Sequence, residues 1–328
     1  MIGRREFITL LSGAAAAWPL AARAQPSGKV HRIGFLGAFS NGEFSGRVDA
    51  LRTGLRQLGY EEGKNIVIHY RWAEGRFDRL PEFAAELVKL NVEVIVTHTT
   101  PGSRAAKQAT STIPIVVAAV VDPVDAGLVA SLARPGGNLT GLTFFFAELC
   151  AKRVELIKEA IPTLTRLAVF VDPANPSHPL AVAAMQGTAS ALGVKLVPIE
   201  VKARDDIATA ITTATRQAPA LVVIEGVSGV SISNPGQIAS FALQSRLPMI
   251  GYRAHAKAGA LITYGVDLPN LFYRSAAFVD KILKGTPAAD LPIERAVKFD
   301  LTVNLKSAKM LGLELPTSLL IRADEVIE

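Results

Sequence analysis

Short runs of Val, Ile and Leu recur along this chain. Each is closed by polar residues and followed by a segment with apolar residues every three or four positions. The first run is HRIGFLGAF, residues 31–39. The segment after it, GRVDALRTGLRQLGY, sets Val48, Leu51, Leu55 and Leu58 on one helix face. IVIHYRWA, VEVIV, IPIVVAAVVDP and LTGLTFF read as further strands, and RLPEFAAELVKLNV and GSRAAKQATST as helices. GLVASLARPGGN reads as a short helix stopped by Gly136 and Gly137. Strands that are aliphatic throughout, rather than alternating, are buried on both faces, as in a parallel sheet. Their alternation with helices dictates right-handed crossovers and a doubly wound α/β layer arrangement.

The series then starts again. ELCAKRVELIKEAIP is a helix, RLAVFVDPANP a strand with a polar exit, and the alternation runs on through ALVVIEG and PMIGY to GALITYGVD. Two such series predict two Rossmann-like lobes with a central cleft, which suits a chain of 328 residues. The change falls near residues 143–148, with no flexible linker. Lobe one is expected over residues 30–143 plus about 266–300, and lobe two over 144–265 plus about 301–328. The helix LPNLFYRSAAFVDKILKG is expected to return to the first lobe.

The N-terminus reads as an export signal over residues 1–24. Arg4 and Arg5 precede an apolar stretch, and Ala22-Arg23-Ala24 offers a small-x-small cleavage site before Gln25. The paired arginines followed by Phe7 resemble a twin-arginine signal; a Sec signal that contains Arg-Arg is the alternative. Cleavage removes three arginines and one glutamate, so the net charge falls from +6 to +4. No later stretch is apolar enough to span a bilayer. A soluble, exported, periplasmic protein is expected. The basic residues form no stripe, which argues against a nucleic-acid partner. The single cysteine, Cys150, lies in a helical pattern and reads as a small buried hydrophobe.

In open α/β sheets ligands bind beyond the carboxyl ends of strands. The residues expected there are Phe39 and Asn41; His98, Thr99 and Thr100; Asp122; Phe145; Asn175; Glu225; and Tyr252. Catalytic signatures are missing. The first strand is followed by GFLGAFSNG rather than a dinucleotide fingerprint, and LGYEEGKN lacks the Walker spacing. EGVSGVS is not a nucleophile elbow. The five histidines show no metal spacing. A His98–Asp122 dyad stays open as an alternative, although no serine or cysteine is placed to serve it.

Thr100 before Pro101 reads as a helix cap, and the exposed N–H groups of such a helix start suit a carboxylate. The alternative is that Thr100 only caps its own helix. Glu225 is suited to an ammonium from the facing lobe, or stands as a solvated carboxylate. One or two of Phe144, Phe145 and Phe146 are expected to bury and at least one to face the cleft, with Tyr252 as an apolar wall. Such a pocket fits an amino acid.

Several stretches resemble a known family. They include LRQLGYEEGKNIVIHYRWAEGRFDRLPEFAAELV, EVIVTHTTPGSRAAKQATSTIPIV, DPVDAGLVASLARPGGNLTGLT, KRVELIKEAIP, VDPANP and LLIRADEVI. They look like the ABC-transporter substrate-binding proteins of the tryptophan/aromatic amino-acid type, from about His31 to the C-terminus. Residues 58–78 and 127–143 carry it most distinctively. The resemblance implies the type I periplasmic-binding-protein architecture, with two lobes joined by three crossings. It implies a monomer without cofactor or catalysis that delivers a small-molecule ligand to an ABC permease and ATPase at the inner membrane. It further implies that Thr99, Thr100 and the turn at residues 120–122 hold a carboxylate, and that Glu225 holds an ammonium. TFFFAEL and IEGVSGVSISNPG depart from the family pattern, and both touch the expected pocket. The competing readings are an exported two-lobe enzyme using His98 and Asp122, and a sensor ectodomain. N-terminal sequencing of exported protein is expected to start at or near Gln25; an intact Met1 on that material would refute the signal reading.

Overall fold

The computed structural model describes residues 29–173, 175, 178–224 and 235–328. From His31 onward the chain builds two sheets. The first sheet uses β1 (His31–Gly37), β2 (Ile66–Trp72), β3 (Val94–Thr97), β4 (Ile115–Val121), β5 (Leu139–Phe144) and the two-residue β11 (Glu294–Arg295). Its order is β11-β5-β4-β3-β1-β2, with every pair parallel. The second sheet uses β6 (Arg166–Val171), β7 (Lys195–Glu200), β8 (Leu221–Val223), β9 (Met249–Gly251), β10 (Ile262–Val266), β12 (Phe299–Asn304) and β13 (Glu325–Ile327). Its order is β13-β12-β10-β9-β8-β6-β7; only the β10–β12 pair is antiparallel.

Both sheets are covered on both faces, which is what the unbroken aliphatic runs require. Along β1, Ile33 and Phe35 enter one core while Leu36 enters the core on the opposite face. Along β6, Leu167 and Val169 face one way and Ala168 and Phe170 the other. The helices are α1 (Asn41–Gln57), α2 (Leu80–Lys89), α3 (Thr100–Ala109), α4 (Phe146–Ala160), α5 (His178–Ala191), α6 (Asp206–Gln217), α7 (Pro235–Gln244), α8 (Leu268–Leu283), α9 (Leu305–Leu311) and α10 (Thr317–Arg322). Cys150 is buried on α4.

One expected element does not form. Residues 127–138 make a series of turns, not a short helix. Leu128 N–H donates to Pro123 O at 2.9 Å and Ala130 N–H to Pro135 O at 3.2 Å. The Ser131 hydroxyl exchanges hydrogen bonds with the Arg134 backbone. Gly127 enters this stretch with φ 67°, outside the helical region, and Pro135 has no N–H to continue a helix.

Three segments pass between the sheets: residues 144–146, 266–268 and 295–299. They are tied to one another. Ala296 N–H donates to Thr143 O at 2.8 Å, Lys298 Nζ lies 3.2 Å from Asp267 Oδ2, and the Arg295 guanidinium sits 4.0 Å from the centre of the Phe145 ring. After the second crossing, α8 packs on α1 of the first lobe. The Tyr60 hydroxyl donates to Asp280 Oδ1 at 3.0 Å. Gly54 makes this approach possible: a Cβ there would lie 2.4 Å from Tyr273 O and 2.8 Å from Ala276 Cβ.

In the second lobe, a 3-10 turn (Arg253–Ala258) follows β9. It is pinned by Asn304 Nδ2 donating to Ala256 O at 3.0 Å. His255 within it is fully buried and receives Tyr252 N–H on Nδ1 at 3.3 Å. Burial, with the Arg153 cation nearby, pushes its imidazole down to about 3.

Two outcomes follow. Replacing a mid-helix glycine by alanine ordinarily stabilises by about 0.5–1 kcal/mol; Gly54→Ala should instead destabilise by about 1–3 kcal/mol through overpacking. Denaturant unfolding decides, and a stabilised variant would contradict this account of the α1–α8 contact. His255 has an ordinary value of 6.5 but is held neutral to about 3 in the fold. The unfolded chain therefore binds the extra proton between those values, and stability falls as pH drops through that window. The loss approaches about 1.4 kcal/mol per pH unit for this group. His255→Phe should flatten the slope between pH 6 and 4; an unaltered slope would exclude the assignment.

Candidate ligand-binding cavity

Strand order reverses beside β1 in the first sheet, where β2 lies on one side and β3 on the other. It reverses again beside β6, between β7 and β8. At such switch points two neighbouring crossover helices leave on opposite faces, so the strand ends open onto a crevice. A cavity of about 640 Å³ lies there, walled by both lobes. A second hollow of about 520 Å³ lies at the open β13 edge, lined by Asn304, Lys306 and Met310 among others.

The first lobe supplies an aromatic wall. Phe39 leaves β1, Phe44 and Arg47 stand on the first turns of α1, Phe77 follows β2, and Phe272 comes from α8. Phe39 stacks on Phe44 with ring centres 5.3 Å apart and 13° between planes. Phe77 meets Phe39 edge-on at 5.7 Å, and Arg47 lies 4.0 Å above the Phe44 ring. His98 closes the group, stacked on Phe44 at 4.5 Å.

His98 is 2% exposed. Its Nε2 accepts the Ala38 backbone N–H at 3.0 Å. Because β1 and β3 pair with Leu36 opposite Thr97, the residues just past each strand meet. Burial, reinforced by Arg47, pushes the imidazole down to about 3, so the ring is neutral.

The β3–α3 junction differs from the expected one. Thr99, not Thr100, is the cap: its Oγ1 accepts Gly102 N–H at 3.4 Å, while Thr100 and Pro101 form the first helical positions. Thr99 has φ 65° and ψ 160°, a region that β-branched residues rarely enter and that costs about 1–3 kcal/mol. Thr99 N–H donating to Ala119 O at 2.8 Å and Ser103 Oγ donating to Thr99 O at 2.7 Å hold it there.

The second lobe contributes Asp172 and Asn175 from the β6 exit and Tyr252 and Arg253 from the β9 exit. Asp172 N–H donates to His178 Nδ1 at 2.8 Å, fixing that exit. Arg253 Nη1 lies 2.8 Å from Oδ2 of Asp300, a carboxylate that is nearly buried. The cavity thus brings together Phe39, His98, Thr99, Thr100, Asn175 and Tyr252 of the residues singled out in the sequence.

Three others lie elsewhere. Asn41 opens α1 and is not in the lining. Phe145 is turned toward Arg295, while its neighbours Phe144 and Phe146 line the cavity; the alternation holds but its phase is opposite. Asp122 accepts the Phe146 N–H, and burial together with Asp125 and Glu148 raises its carboxyl. His98 and Asp122 are each engaged with a backbone N–H, and no hydrogen bond joins them. Glu225 lies outside the described residues.

Phe44, Arg47, Phe77 and Phe272 were not expected in the lining. Phe44 carried a usable signal, since it stands four residues before Val48 on the same helix face; the expected helix began too late to include it. Nothing local marks Phe77 or Phe272. Among the described residues no group of His, Cys, Asp and Glu is arranged to hold a metal ion, and no helix is long and apolar enough to cross a membrane.

Known proteins are similar to this chain in sequence and in fold. A tyrosine-binding protein of Clostridioides difficile (strain R20291) is 26% identical over 261 residues, 79% of this chain and 74% of that protein. A solved Streptococcus pneumonia ABC domain in complex with L-Trp superposes with a TM-score of 0.83 at 25% identity, over 91% of this chain and 100% of that one. The ligand-free, open structure of a Clostridium difficile substrate binding protein with adhesive properties gives 0.70 at 25% identity, over 91% and 99%. The family described as ABC transporter substrate binding protein matches residues 40–327, and the chain belongs to that family.

Proposed function

We propose that this protein is the exported solute receptor of an ABC importer and that it closes on one aromatic amino acid, or a closely related aromatic carboxylate. The observation that carries this is the cavity of about 640 Å³ at the switch points of both lobes, walled by phenylalanines on one side and polar strand exits on the other. Aromatic walls favour a planar apolar ring. The start of α3 at Thr99 and Thr100 suits its carboxylate. Glu225 is assigned to the ammonium. The relatives that bind tyrosine and L-Trp support the same class.

In this reading the receptor works in the periplasm as a monomer, with its lobes hinged at the three crossings, and hands its ligand to a membrane permease and its ATPase. Lobe one takes residues 30–143 and about 266–300; lobe two takes residues 144–265 and about 301–328. An exported enzyme using His98 and Asp122 has little support, since both groups are bound to backbone N–H donors and His98 is held neutral.

Ligand-free protein should melt several degrees higher with one of tryptophan, tyrosine or phenylalanine at about 100 times its Kd, a gain of about 2.7 kcal/mol. The ligand should be recovered unchanged. No shift with any aromatic amino acid or carboxylate, on protein shown by mass spectrometry to be ligand-free, would reject the proposal.

A further inference from the structure

A neutral imidazole carries one hydrogen on two nitrogens, and its neighbours decide which nitrogen holds it. For His98 the decision is unambiguous. A backbone N–H can only donate, and that of Ala38 points at Nε2 from 3.0 Å. Nε2 is therefore the bare nitrogen and Nδ1 carries the hydrogen. Among the described residues Nδ1 has no hydrogen-bond partner, yet it is not one of the sealed, unpartnered polar atoms of the core. The ring is 2% exposed and lines the cavity. Around it stand Phe44 at 4.5 Å, Phe272 at 5.8 Å, Phe39 at 6.0 Å and Phe35 at 6.3 Å between ring centres, with the Arg47 cation nearby. These rings orient the imidazole and give its N–H no oxygen to bond.

We propose that His98 determines specificity, its Nδ1–H donating a hydrogen bond to an oxygen acceptor on the bound ligand, either the carboxylate or a ring hydroxyl. This rests on the cleft being the binding site for an aromatic acid. An ammonium has no lone pair to receive this hydrogen, so the amino group of an amino-acid ligand faces away from His98. A ligand without an oxygen at this point leaves a buried donor unpaired, which lowers its affinity about 10- to 100-fold.

The test uses the full mature protein, with L-tyrosine, L-phenylalanine and tyramine as probes. His98→Phe keeps the stacked ring and removes the donor; His98→Gln offers an amide oxygen to Ala38 and an amide hydrogen to the ligand. Calorimetric titration of His98→Phe should show a 10- to 100-fold loss, partly restored in His98→Gln. Loss for tyrosine and phenylalanine but not tyramine places the acceptor on the carboxylate. Loss for tyrosine and tyramine but not phenylalanine places it on the ring hydroxyl.

Nitrogen-15 histidine NMR of the wild type supplies a reading that a merely structural role would not move. His98 should show its hydrogen on Nδ1, and that signal should shift when tyrosine saturates the protein. Equal affinities in wild type and folded His98→Phe for every probe would overturn the inference and leave the function standing. So would a hydrogen on Nε2, or an Nδ1 signal unmoved at saturation. A wild type that binds none of the probes overturns both.

Discussion

The approach of α8 to α1 at Gly54 is the contact on which the rest of the architecture depends. The chain leaves lobe two at the end of β10 and could have ended its excursion there. Instead α8 lies across α1, close enough that a single added methyl group would strike the Tyr273 carbonyl. That return makes the second crossing obligatory and brings Phe272 to the cavity. It also brings Asp267, the cap of α8, within reach of Lys298 on the third crossing. One glycine thereby couples helix packing, the path of the second crossing and the aromatic wall of the cavity.

The site itself follows from how parallel strands end. A strand covered on both faces has no use for polar side chains until it emerges, and it emerges beside its neighbours. Ala38 and His98 meet because β1 and β3 are adjacent and in register. Their hydrogen bond uses the one acceptor of the imidazole on the backbone and leaves its donor without a partner among the described residues. Thr99, next in sequence, is held in a strained conformation by three hydrogen bonds from or to its own backbone. Strain of that kind persists only where surrounding structure over-determines it, and it is found at sites that must present particular groups.

Burial acts on both His98 and Asp122. The two groups that a sequence reader would pair for chemistry, His98 and Asp122, are pulled in opposite directions by burial: the imidazole toward neutrality at low pH, the carboxyl upward. Each accepts a different backbone N–H, and among the described residues no hydrogen bond joins the two. The cavity lining also carries the Asp172 carboxylate, aromatic rings and the guanidinium of Arg253, itself leaning on Asp300 beside the third crossing.

Sequence alone determined the layered α/β architecture, because burial on both faces writes itself as unbroken aliphatic runs, and helix faces write themselves as a three-to-four-residue spacing. It also determined where polar groups emerge, so Phe39, His98, Thr99 and Tyr252 were legible as strand-exit residues. Only the tertiary structure decided which exits converge. Phe144 and Phe146 line the cavity and Phe145 does not, because the phase of an alternating segment is set by the neighbour it packs against, here Arg295. Phe77 and Phe272 arrive from a loop and a returning helix whose positions depend on long-range packing. The turn at residues 127–138 escaped the helical pattern for a local reason, a positive-φ glycine at its start and Pro135 near its end. Periodicity is a property of neighbours along the chain; convergence is a property of neighbours in space, and only folding creates those.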